Sequence, residues 1–257
     1  MAVMGSTSSN AESHPRRATL TTAQRAALDP LVGDLHGVFG ARLRSVVAYG
    51  LSHADDDDGV HVLAFVEGLT FTDLTQMAPR ARGWRKAGLA IPLVLTRHEF
   101  VRTLDVFPIE YGNIIANHVL LEGPDPFEGI HVSDADLRRG CELDAKSHVI
   151  HLREGFIETQ GDARAMATLI AASAPAFRAV LANIIRLEQG SDGGDHLHDD
   201  DSLARSAERT IGIPSSVVID VLASSRTATA ALDPSALIAR YLDASERVWR
   251  FVDGWKP

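Results

Sequence analysis

The chain predicts an α+β (α/β) protein, with a small mixed-sheet domain followed by an α-helical bundle. Three observations lead there. Short apolar runs bounded by glycine, at 45–49 and 60–66, crowd the first half as buried strands do. Helical periodicity alternates with those runs up to about residue 127. Beyond Ser133 strand-like runs disappear, and apolar residues recur every three to four positions.

Residues 1–20 are small, polar and Ser-rich, and predict a disordered tail. The mixed-sheet domain is then expected over 21–128. Asp29-Pro30 pairs an N-cap with proline at the first helical position, and Leu31, Val32, Leu35, Val38 and Phe39 follow at helical spacing. The strands at 45–49 and 60–66 come next. Leu74, Met77, Ala81 and Trp84 mark a helix over 72–86 interrupted near Pro79. A third strand is expected at 91–95, with Thr96 capping a short helix through Leu104. A turn at 105–108, a further helix to Asn117 and a fourth strand at 118–121 complete the domain.

The bundle is expected over 129–257. Ser133 and Asp134 are caps for a long amphipathic helix carrying Leu137, Cys141, Ala145, Val149, Leu152 and Phe156 on one face. A second helical region spans 162–188, kinked near Pro175, and a polar loop fills 190–201. Further helices start near Ser202, at Pro214 and at Asp233-Pro234.

The net charge of −9 argues against a protein that holds nucleic acid by charge alone. The chain lacks an apolar leader, which predicts a cytoplasmic protein. No uninterrupted apolar run approaches the roughly 20 residues of a membrane span. The single cysteine, Cys141, excludes an internal disulfide framework and a multi-cysteine zinc cage.

One stretch concentrates the chemistry: VVAYGLSHADDDDGVHVLAFVEG, residues 46–68. Two strands flank a polar segment in which Gly50 and Ser52 precede four aspartates, Asp55 to Asp58. A glycine lets backbone approach a phosphate and offer N–H donors. Carboxylates hold magnesium, which neutralises charge on phosphoryl oxygens.

With IPLVLTRHEF (91–100), LDVFPIEY (104–111), HVLLEGPDPF (118–127) and the helix LRRGCELDAKSHVIHLREGF (137–156), this stretch resembles the DNA polymerase beta-like nucleotidyltransferase superfamily. It looks most like bacterial nucleotidyltransferases that carry a C-terminal helical domain. The resemblance covers most of residues 30–160. It implies binding of a nucleoside triphosphate with Gly50 and Ser52 at the phosphates, and Mg2+ on a pair of carboxylates. The acceptor is left unspecified.

The metal pair departs from the family pattern. Aligned on the family's acidic strand, Gly59 and His61 stand where carboxylates belong, while Asp57 and Asp58 lie one or two residues upstream. A one-residue slip in a strand reverses the facing of a side chain. The expectation is therefore a nucleotidyltransferase fold with a degraded metal site that binds a nucleotide or a partner. The alternative is an active enzyme with Asp57 and Asp58, and His61 beside them, at the metal. No carboxylate occurs in 91–95, and Asp105 and Glu110 are near only in sequence.

The remaining candidates have structural readings beside the functional ones. The segment DHLHDDD, 195–201, has metal-friendly side chains but reads as a flexible interhelical loop ahead of a metal site. Arg138, Arg139, Lys146 and Arg153 either face a nucleotide or form a solvated helix face. Cys141 sits on the apolar face as a small core residue. Walker-type, dinucleotide-binding, nucleophile-elbow and zincin motifs are absent.

Overall fold

The computed structural model describes residues 19–51, 60–189, 199–226 and 233–255. The first helix, α1 (Thr22–Phe39), begins well before Asp29. The Thr21 side chain accepts from the Gln24 N–H while Gln24 Oε1 accepts from the Thr21 N–H, a reciprocal cap that sets the start upstream. Pro30 is carried inside the helix. The Thr21–Gln24 cap, not Asp29-Pro30, sets where the helix begins.

Four strands form one sheet in the order β3-β2-β1-β4. They are β1 (Leu43–Tyr49), β2 (His61–Val66), β3 (Leu93–Leu95) and β4 (Val119–Glu122). Strand β1 runs antiparallel to β2 and β4, and β2 runs parallel to β3. The parallel pair needs a crossover. Helix α2 (Phe71–Met77), a 3-10 turn at Ala78–Arg80 and α3 (Ala81–Lys86) supply it, with Pro79 in the turn.

Alternation along the strands loads both faces. Val46, Ala48, Val62, Ala64 and Val66 pack with Leu28, Leu31 and Leu35 of α1 and with Trp84. Val47, Leu63 and Phe65 pack on the other face with Phe100, Tyr111, Ile114 and Phe127. This second face is covered by α4 (Arg97–Arg102) and α5 (Pro108–Ala116). Buried Asp73 ties the crossover to β1 by accepting from both terminal nitrogens of Arg42 and from the Thr70 hydroxyl. Those bonds hold its carboxyl well below the usual range.

The helical half comprises α6 (Asp134–Glu158), α7 (Ala163–Gln189), α8 (Asp200–Ile211), α9 (Ser215–Arg226) and α10 (Pro234–Gly254). Ser133 and Asp199 cap α6 and α8 through the N–H groups of Asp136 and Ser202. Over Ala163–Glu188, α7 is long and apolar enough to cross a membrane by length and composition. Here Ile170, Phe177, Leu181, Ile184 and Ile185 fill the bundle core with residues of α6, α8, α9 and α10. Cys141 lies in that core, where burial first and Asp144 second push its thiol up to about 12, leaving it unreactive near neutrality.

The same core holds a polar pair. The fully buried Tyr241 hydroxyl lies 2.9 Å from His148 Nε2, and Phe177 stacks on the imidazole. Burial, then His151, lowers the His148 pKa to about 4. The folded imidazole is thus neutral, while the unfolded one takes up a proton near pH 6.5. The associated stability is complete above that pH and is lost as pH falls toward 4. Urea unfolding is expected to show a loss of up to about 3 kcal/mol across this window. In His148→Gln the loss over the same window is expected to shrink.

Candidate functional site

The β1–β2 pair places the start of the expected phosphate turn at one end of the two inner strands. Gly50 ends β1 with φ +71°, the left-handed region that glycine enters freely. Antiparallel register sets Tyr49 opposite His61. Their rings stand 5.3 Å apart, and a Cβ on Gly50 would come within 3.1 Å of His61 Cδ2. The imidazole therefore packs across the turn that the notional phosphate loop would use. Ser52, Asp57 and Asp58 lie outside the described residues.

Tyr49 faces the same side of the sheet as Val47. Its phenol is pushed up to about 12, first by burial, then by the Glu110 carboxylate, then by Tyr111. It is a neutral donor at physiological pH. Helix α5 brings these groups together because its sides have different tasks. Tyr111 and Ile114 enter the aromatic core under the sheet, while Ile109 packs against the bundle core. Glu110 and Asn113, three residues apart, occupy the edge between those faces.

From the bundle, α7 presents Asn183 and Arg186 to that edge. Arg186 Nη1 donates to Asn113 Oδ1 at 2.9 Å and to Asn183 Oδ1 at 3.3 Å. The arrangement sets a glycine turn, the Tyr49 and His61 rings and the Glu110 carboxylate on the sheet side of α5, and the Arg186 guanidinium on its bundle side. It suits a ligand with a flat apolar part and an anionic part.

Comparison with known proteins gives a distant structural likeness. The solved structure of a spectinomycin adenyltransferase from Enterococcus faecialis, with ATP and spectinomycin, aligns with a TM-score of 0.48 and 12% identity. The alignment covers 87% of this chain and 98% of that one. No family model matches the chain, and no curated protein matches it. A likeness so loose leaves the site to be argued from its own residues.

Magnesium fits poorly on the described part of the site. Among the described residues no group of three His, Cys, Asp or Glu side chains could hold a metal ion. His61 offers a nitrogen ligand, whereas magnesium takes oxygen. The basic residues of α6 are engaged within the bundle. Arg138 donates to the carbonyls of Trp255 and Asp253, Arg139 pairs with Asp136, and Lys146 lies over the Trp249 ring. Arg153 pairs with Glu246. Of the acidic loop, 195–198 lies outside the described residues, whereas Asp200 accepts from Arg178 and Arg226.

Sequence reasoning passed over Tyr49, Tyr111, Asn113, Asn183 and Arg186. A tyrosine ending an apolar strand just before Gly50 was one available signal. The other was an arginine set between Ile185 and Leu187 on an apolar helix. Gly50→Ala is expected to cost about 1–2 kcal/mol, from the left-handed backbone and from the crowding against His61. Measured again on a His61→Ala background by chemical unfolding, the cost should fall. Equal costs on the two backgrounds would rule out the ring contact.

Proposed function

We propose that the protein binds a nucleoside triphosphate through a nucleotidyltransferase-type domain whose metal site is degraded. The observation that carries this reading is the left-handed Gly50 turn with the His61 ring packed over it, at a position where the resemblance would put a carboxylate. A glycine turn with free backbone N–H groups serves an anion whether or not a metal is present. An imidazole against that turn does not serve as one of a pair of magnesium ligands. In this reading the Tyr49 and His61 rings border the apolar part of the ligand, with Glu110 beside Tyr49.

The alternative reading is an active enzyme, transferring a nucleotidyl group to a hydroxyl of an acceptor that the helical half would present. It rests on Asp57 and Asp58, which lie beside the hairpin in sequence.

Thermal unfolding with each of ATP, GTP, CTP and UTP, with and without magnesium, tests the choice. A ligand at about 100 times its dissociation constant adds roughly 2.7 kcal/mol. The expected result is stabilisation by at least one nucleotide that magnesium does not enhance and that Asp57→Asn with Asp58→Asn leaves intact. Magnesium-dependent stabilisation that this double variant abolishes would establish the alternative. No stabilisation by any nucleotide would refute both.

A further inference from the structure

Many arginines among the described residues are matched with carboxylates. Arg42 has Asp73, Arg178 and Arg226 share Asp200, and Arg153 has Glu246. Arg186 differs. It is half-buried near the end of α7, and both of its bonds go to neutral amide oxygens through a single nitrogen, Nη1. Among the described residues no carboxylate forms an ion pair with it. Burial, then the neighbouring Arg178, lower its pKa, and no acid acts in the other direction. Among the described residues, the buried side-chain atoms left without partners are Ser245 Oγ and Trp249 Nε1. Among the described residues no hydrogen bond engages Nε or Nη2 of Arg186.

A half-buried guanidinium without a counter-charge costs folding free energy. Its planar fork matches phosphate oxygens in a way that a lysine does not. Its position gives the unused edge a destination. Asn113, which holds Nη1, lies one turn from Glu110 along the edge of α5, and Glu110 is close enough to Tyr49 to perturb its phenol. Arg186 thus meets the same side of α5 that carries Glu110.

We infer that Arg186 is an anion receptor where α7 meets α5, taking the oligophosphate of the ligand, without a divalent cation, on the guanidinium nitrogens that Asn113 and Asn183 do not engage. The inference rests on the nucleotide reading for the rest of the ligand, but its phosphate part stands on Arg186 alone. Asn113 and Asn183 act as positioning residues by fixing Nη1 and leaving the other nitrogens presented. A fixed cation here supplies the charge neutralisation that a metal pair supplies in the family pattern.

Isothermal titration of the full chain with inorganic tripolyphosphate in excess EDTA tests this directly. Wild type should bind, Arg186→Gln should bind at least tenfold more weakly, and Arg186→Lys should fall between. Arg186→Gln should be as stable as wild type or more so without ligand, because an unmatched charge has been removed, so lost binding would not reflect unfolding. Unchanged affinity in Arg186→Gln, or no tripolyphosphate binding by wild type, would overturn the inference.

Parallel titrations with ATP and adenosine separate it from the nucleotide reading. Tripolyphosphate binding that needs Arg186, with no binding of ATP, would keep the inference and refute the nucleotide reading. ATP binding that is equally strong in Arg186→Gln would do the reverse.

Discussion

At Gly140 the α6 backbone passes so close to α5 that a Cβ there would stand 2.9 Å from Pro108 Cγ and from Ile109 Cγ1. Such an approach requires the side chain to be a hydrogen. It clamps one end of α5 to the bundle while Tyr111 and Ile114 hold the helix to the sheet. A short helix pinned on two sides has little freedom to rotate. The direction of Glu110 and Asn113 is therefore set by packing, as a by-product of core formation. Gly112 adds to this, with Leu137 and Val132 at van der Waals distance from where its Cβ would be.

The hairpin is constrained from a different direction. β1 is the central strand, hydrogen-bonded on both sides, with Val46, Val47 and Ala48 fully buried. Register there is strongly specified because a one-residue slip would exchange the two faces. The pairing of Tyr49 with His61 follows from that register. A site built on such a strand end is rigid on the sheet side. Its bundle side comes from α7, whose Ile184 and Ile185 are locked in the core next to Arg186. Two separate cores thus hold the residues on either side of α5.

Charge is distributed unevenly against this frame. Most arginines are matched by carboxylates, often across elements, as Arg42 to Asp73 and Arg178 to Asp200. These pairs stitch helices to strands and to each other. Arg186, half-buried and bonded to amide oxygens rather than to an acid, sits at the junction of the two cores.

The sequence by itself determined the mixed sheet followed by helices, because period-two and period-3.6 apolar patterns are local and each implies one kind of element. It also determined most helix starts, since Thr96, Ser133 and Asp233 act through N–H groups two or three residues away. It missed the start of α1, where a reciprocal cap at Thr21 competed with the more conspicuous Asp29-Pro30. Gly50 and His61 were legible as candidates, because glycine and acidic runs between strands are sequence patterns. Only the tertiary structure decided that His61 packs over Gly50, that Glu110 rather than Asp105 approaches Tyr49, and that Arg186 meets Asn113 across 73 residues of chain. Those contacts depend on strand register and on how closely helices pack, and neither quantity is written in the local spacing of residues.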